Sequence, residues 1–324
     1  MTSLETYITQ FSRLRRAPGG GWSEATGNRA PHKPILLLAV LDLIARGVLT
    51  APFIDVTGDL VELNELFNGY WRRIVFPGQT SSIAFPFSRL HNEPFWELVP
   101  LPGKEITPAV ISNISSVSQL RTVALGSRLG DDLFQFMALP ESRNILREVL
   151  LHSCFSEKAM AELTEQVAIN AEAYSYSQEL VRKAHLPKVE EVLPTYRAAA
   201  RDQGFRRIVV STYDHRCALC GVRIITAEGH TVVDAAHIVP WSRTQNDDIR
   251  NGMALCKLCH WSFDEGMMGM SDSYDVIVSR QIVVNPNVPG FLVTLTGRAA
   301  LLPLDRDLWP AKEYLAEHRR EWRL

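Results

Sequence analysis

The sequence lacks any apolar run long enough to cross a bilayer. Its longest, "ILLLAVL" at 35–41, falls well short of the roughly 20 residues a spanning helix needs. The opening "MTSLETYITQF" has no basic start followed by an apolar core, so no secretion signal is read and the cytoplasm is the expected compartment. No internal repeat or low-complexity tract is present. Charge of either sign is nearly balanced, 34 Lys and Arg against 36 Asp and Glu. The net of −2 removes any global attraction to a polyanion. A nucleic-acid surface would therefore need local clusters such as Arg13, Arg15, Arg16, Arg29 and Lys33, or Arg201, Arg206 and Arg207. Those arginines alone fit solvated helix faces equally well. Cysteine is scarce at five residues, an odd count that argues against a disulfide framework. What is present is ordinary globular composition, 46% apolar and 22% charged, in 324 residues, enough for two domains with separate cores.

The element pattern is α+β. Thr2 and Glu5 have capping-box spacing, and Leu4, Tyr7, Ile8 and Phe11 recur at helical intervals, so a first helix is predicted to about Arg16. A glycine-rich loop follows. Pro34 suits the first turn of a second helix and Gly47 its end. Residues 59–71 read as a third helix. "FPFSRLHNEPFWELVP" at 85–100 is too broken by proline for a central strand, and reads as extended segments with a turn near "HNEP". Residues 140–153 are helical, and 157–183 form a long polar helix. A largely helical front domain with a small hairpin or sheet is expected at 1–155, a helical linker at 156–194 including "HLPKVEEVLP", and a second domain at 195–324. In that second domain 196–213 reads as a helix, "HTVVDAAHIVPW" as strand, "NGMALCKLCHWSFDEG" as a helix opening after Asn251-Gly252, and "YDVIVS" as a closing strand.

Four of the five cysteines form two C-x-x-C pairs, Cys217/Cys220 and Cys256/Cys259, separated by 35 residues. This is the four-thiolate arrangement of a tetrahedral structural Zn²⁺ site. Cys154 stands alone in a helical apolar context and reads as a small buried hydrophobe. Between the pairs lie "DAAHIVPWS" and, 14 residues after His237, Asn251-Gly252. Metal-assisted phosphodiester cleavage needs a base for water, a hard cation on the phosphate and a group that fixes the base. His237, His260 and Asn251 are candidates for the base, a cation ligand and the fixing group. His237 also fits a plain strand end, and His260 a fifth candidate around the zinc.

In order and spacing, "AAHI-x-P", "NG" and "LC-x-x-CH-x-x-FD" between cysteine pairs resemble the HNH, or ββα-metal, endonuclease family in its zinc-containing form. The resemblance covers about 206–279. It implies His237 as general base, Asn251 as orienting asparagine, and His260 as ligand of a catalytic Mg²⁺ or Mn²⁺. Many members carry a metal ligand immediately before the base, where this chain has Ala236. Asp234, on the same strand face as Ala236, and Asp264, one helical turn after His260, are the candidates for that carboxylate.

In the front half, "APHKPILLLAV" and "FPFSRL-x5-FWEL" resemble the DNA sulfur-binding domain of phosphorothioate-dependent, type IV McrA-like restriction enzymes, a family that joins such a domain to an HNH nuclease. By that resemblance Phe85, Pro86 and Ser88 would form a sulfur cavity. Arg29, His32, Lys33 and Arg89 are the candidates for backbone and base contacts. The family often has tyrosine where this chain has Phe85. A simpler reading makes Phe87, Leu90, Trp96 and Leu98 core residues, and a third makes Phe85 or Trp71 a stacking platform.

The expected partner is double-stranded DNA carrying phosphorothioates, with no membrane. Two alternatives are an HNH restriction enzyme reading methylated or unmodified DNA, and an inactive zinc-stapled DNA-binding protein. One HNH unit cuts one strand, so double-strand cleavage implies a homodimer. The helix from Glu157 and the tail "PAKEYLAEHRREWRL" are the candidate interfaces.

Overall fold

Ser3 rather than Thr2 caps the first helix: its hydroxyl accepts from the Thr6 amide at the start of α1 (Leu4–Ser12). The computed structural model describes residues 2–19, 21–58, 60–76, 78–186, 195–280 and 290–324. Residues 187–194, most of the "HLPKVEEVLP" stretch of the expected linker, lie outside them. The chain divides into two compact units, Met1–Ala171 with Thr226–His230, and Glu172–Ile225 with Thr231–Leu324.

In the first unit, α2 (His32–Ala45) is the core. Pro34 sits in its first turn, where a missing N–H leaves no intrahelical bond unmade, and Gly47 takes the left-handed conformation just after its end (φ 68°). Ile35 through Leu41 are all fully buried. A helix apolar around its whole circumference has to be enclosed on every side. Around it lie β1 (Phe53–Asp55), α3 (Leu60–Ile74), α4 (Ala84–Arg89), β2 (Trp96–Pro100), α5 (Pro108–Asn113), α6 (Val117–Arg121), β3 (Ala124–Leu129), α7 (Asp131–Ala138) and α8 (Pro140–Cys154). The three strands form one antiparallel sheet in the order β1-β3-β2. At the polar heart of this unit, buried Asp42 accepts from Tyr70 Oη, Arg147 Nη2 at 2.9 Å and Asn170 Nδ2 at 2.9 Å.

The structure corrects the reading of 85–100 as a turn between extended segments. Residues 84–89 are helical, a short 3₁₀ turn runs from Leu90 to Asn92, and only Trp96–Pro100 is strand, paired with β3 rather than with its own neighbour. Pro86 is tolerated because it lies in the first turn of α4. Phe87, Leu90, Trp96 and Leu98 are core, and the Trp96 indole donates to the Phe87 carbonyl at 3.0 Å.

The helix α9 (Glu157–Ala184) contributes its first half to one unit and its second half to the other. Leu163, Ile169, Ala173, Tyr176 and Leu180 are buried, a face that the surrounding Glu, Gln and Ala hide in the sequence.

The second unit continues with α10 (Ala198–Thr212), β4 (Val233–His237), the short α11 (Trp241–Thr244), β5 (Gly252–Cys256), α12 (Lys257–Asp264), β6 (Met268–Met270), β7 (Val276–Val278) and α13 (Lys312–Trp322). β4 and β5 are antiparallel, with His237 opposite Gly252 and Val233 opposite Cys256. The expected helix from Gly252 therefore starts five residues later, because 252–256 is a strand buried along its whole length. Gly252 is required there: a Cβ would stand 2.7 Å from Val209 and 3.0 Å from the Phe205 ring.

Candidate active site

The two cysteine pairs converge. Cys217 and Cys220 lie on a turn closed by Gly221 (φ 77°), Cys256 caps α12 and Cys259 lies in its first turn. All four are buried and their sulfurs lie within 4.8 Å of one another. The Cys220 and Cys256 sulfurs are 3.7 Å apart. Sulfurs placed about 2.3 Å from a tetrahedral Zn²⁺ are separated by roughly 3.8 Å, so the donor set fits the ion. Its electrostatics agree. Sulfur neighbours stabilise the charged form of Cys256 and hold its thiol far down, while the same neighbours push Cys220 and Cys259 up. Four clustered thiols share charge poorly unless a cation binds all of them. Zn²⁺ at Cys217, Cys220, Cys256 and Cys259 is the fit. Cys154, by contrast, is buried in the first unit, and burial pushes its thiol up to about 11.

Beyond the four cysteines, the ββα element presents His237 at the end of β4 and His260 on α12. Asn251, fully buried, ties the residues after His237 to β5. Its Oδ1 accepts from Val239 N at 2.9 Å and its Nδ2 donates to Val239 O at 3.0 Å. Its own carbonyl accepts from Ile238 N at 2.8 Å. The register of His237 is therefore set by three bonds from one residue.

His260 Nε2 lies 3.5 Å from Asp264 Oδ2, one helical turn on. Burial raises the Asp264 carboxyl above its ordinary range, and the His260 charge opposes that rise. His237 and Asp264 line one cleft of about 330 Å³, whose other walls include Trp241, Phe263, Glu321 and Trp322. That volume is at the small end of ligand sites. Asp234 is placed differently. It is exposed on β4 and its Oδ1 pairs with Arg206 Nε at 2.7 Å. Among the described residues, no three of His237, His260, Asp264 and Asp234 gather into a ready-made ligand cluster.

A residue that the sequence reading did not single out stands beside His237. Asp247 Oδ1 is 2.9 Å from His237 Nε2, and its Oδ2 accepts from Tyr176 Oη at 2.8 Å and Arg201 Nη2 at 2.9 Å. The Phe205 ring lies parallel to the His237 ring, with centroids 4.1 Å apart.

In the first unit the structure assembles a ring cluster at the start of α2. His32 lies 4.7 Å from Trp71, 5.0 Å from Phe85 and 5.2 Å from Trp22 by ring centroids. The Arg89 guanidinium covers Phe85 at 3.8 Å and donates to the Ile114 and Ser112 carbonyls. His32 Nδ1 is buried and has no protein partner. Burial, reinforced by the Arg89 charge, lowers His32 to about 4, so the ring is neutral at pH 7. Arg29 is exposed near the start of α2.

Three residues named from sequence are buried. Lys33 is buried, its ammonium paired with Glu93. Pro86 is buried, and Ser88 is fully buried, its hydroxyl donating to Phe85 O at 3.1 Å. The reason is helical: in α4 only Phe85 and Arg89, one turn apart, share the outer face.

Residues 217–270 match the HNH endonuclease family. A solved structure of a modification-dependent TagI restriction endonuclease is similar at 22% identity and a TM-score of 0.27, over 36% of this chain and 36% of that one. The chain thus spans about a third of that protein's length. No curated protein matches. Residues 217–270 are an HNH endonuclease domain, carrying a four-cysteine cluster that fits zinc. Among the described residues no helix is long and apolar enough to cross a membrane.

Proposed function

We propose that this chain is a modification-dependent restriction endonuclease that binds phosphorothioated double-stranded DNA through its first unit and hydrolyses a phosphodiester near the modification through its second. The observation that carries the nuclease half is the Asn251 clamp on Val239, two residues past His237, within the segment that matches the HNH family. His237 takes the proton of the attacking water, and Asn251 holds the loop after it in register. His260 and Asp264 would hold a catalytic Mg²⁺ or Mn²⁺, which would supply stabilisation of the negative charge that develops in phosphodiester hydrolysis. We assign Asp264 rather than Asp234 because Asp264 shares the cleft with His237, whereas Asp234 pairs with Arg206.

The sulfur half rests on the ring cluster. A non-bridging sulfur is larger and more polarisable than oxygen and accepts hydrogen bonds weakly. Phe85 and neutral His32, backed by Trp22 and Trp71, offer it an apolar wall, while Arg89 and Arg29 meet the charge. An ordinary phosphate oxygen on that wall loses water without gaining a donor, at about 1–3 kcal/mol, or one to two decades in affinity. Pro86, Ser88 and Lys33 are left out of this contact set. Cutting both strands takes two such centres, so the active form is a homodimer.

The reading is tested by incubating the protein with matched Rp-phosphorothioate and plain duplexes and Mg²⁺ or Mn²⁺. Cleavage confined to the phosphorothioate duplex supports it; equal cleavage of both removes the sulfur half, and no cleavage of either removes the nuclease half.

A further inference from the structure

The Asp247 carboxylate is only 8% exposed, and each of its oxygens is spoken for. Oδ1 faces His237 Nε2, while Oδ2 takes the Tyr176 hydroxyl and the Arg201 guanidinium. Burial alone would raise its carboxyl. Hydrogen bonds from His237 and Tyr176, with the Arg201 charge, outweigh that and hold it below the ordinary carboxylate range. A buried charge with these partners is an anion at neutral pH. Phe205 closes one face of the His237 ring, Asp247 fixes one edge, and the histidine lines the cleft that Asp264 shares.

We infer that Asp247 is a positioning residue for the hydrolysis proposed above: it holds His237 as the Nε2–H tautomer, so that Nδ1 carries the lone pair that receives the water proton. The inference rests on that reading of the second unit. In the step, the water O–H bond breaks, its proton goes to Nδ1, and the oxygen bonds to phosphorus. The bond from phosphorus to the 3′ oxygen breaks, and the leaving oxygen takes a proton from solvent. Asp247 exchanges no proton. It offsets the positive charge that the imidazole acquires, in a site where water is partly excluded. Tyr176 and Arg201 in turn keep Asp247 charged and stationary, so the dyad is supported from α9 and α10.

A carboxylate that merely ties helices together would affect stability and leave the imidazole chemistry alone, so the test reads both. Asp247→Asn keeps the size and replaces the obligate acceptor by an amide that can donate to Nε2. With the full-length protein on a phosphorothioate duplex, kcat is expected to fall about a hundredfold or more with KM and zinc content unchanged. ¹⁵N spectra of histidine-labelled protein should show the His237 Nε2–H tautomer in the wild type and its loss in Asp247→Asn. If that variant folds poorly, Asp247→Ala with added formate is the second arm, and recovery of kcat by formate supports the assignment. Unchanged kcat in a folded Asp247→Asn protein, an unchanged tautomer, or no recovery by formate overturns it. Wild-type protein that does not cut at all instead overturns the nuclease reading, and the tautomer measurement still decides the role of Asp247.

Discussion

Asn251 and Val239 bond as two peptides in a sheet do: the carboxamide of one accepts from the amide and donates to the carbonyl of the other, at 2.9 and 3.0 Å. Val239 lies two residues past His237, and both Asn251 and Val239 are buried. The side chain thus serves as a covalently anchored piece of backbone that stops the loop from sliding.

Asn251→Ala leaves the Val239 N–H and C=O without partners in a dry site. With each orphaned group costing about 1–3 kcal/mol, the second unit should lose about 2 kcal/mol or more. Cleavage should fall further than stability does, because His237 loses its register. Urea titration and single-turnover cleavage of the same preparation separate the two effects.

His237→Ala removes a half-buried ring stacked on Phe205 and no zinc ligand. The expected protein is folded, retains its zinc, binds phosphorothioate DNA as the wild type does, and does not cut. Zinc analysis, gel shift and cleavage check the three statements together.

Cys256→Ser changes one of the four clustered sulfurs, at the N-cap position of α12. Zinc content should collapse and the second unit should lose its cooperative unfolding, since structural zinc supplies folding free energy outright. Phosphorothioate binding should persist, because Trp22, His32, Phe85 and Arg89 belong to the first unit.

His32 gives a pH dependence with a definite sign. Its folded value, about 4, lies below the ordinary 6.5, so between pH 6.5 and 4 the unfolded chain binds the extra proton. Stability therefore falls as pH drops through that window, by about 3 kcal/mol at most, and the penalty is absent above it. In His32→Asn the acid loss between pH 6.5 and 4 should be smaller. Urea midpoints of both proteins across the window measure the difference.

The four-cysteine cluster was legible in the sequence because its chemistry is carried by spacing: two C-x-x-C pairs need only a turn and a helix start to converge. The order of His237 and Asn251 around those pairs was likewise legible, and from it come the roles proposed for them. Asp247 was not, since its meaning comes from Tyr176, 71 residues earlier, and Arg201, 46 residues earlier. The one local signal is an acidic pair in "QNDDIRNG", between the histidine and the asparagine. The ring cluster likewise draws Trp22, His32, Trp71 and Phe85 from four segments, and no periodicity links them. Pro86 misled in the other direction. Proline among aromatics reads as extended chain, yet it fits the first turn of a six-residue helix, and that helix buries Pro86 and Ser88 and leaves Phe85 and Arg89 outward.

The division of work between a reader and a cutter is tested most directly by one gel-shift series. Catalytically silent His237→Ala protein is titrated against matched Rp-phosphorothioate, methylated and plain duplexes at one salt concentration. The account expects the phosphorothioate duplex to bind one to two decades more tightly than the other two, and that preference to vanish when Phe85→Asp is added. Equal affinity for the phosphorothioate and plain duplexes would contradict it.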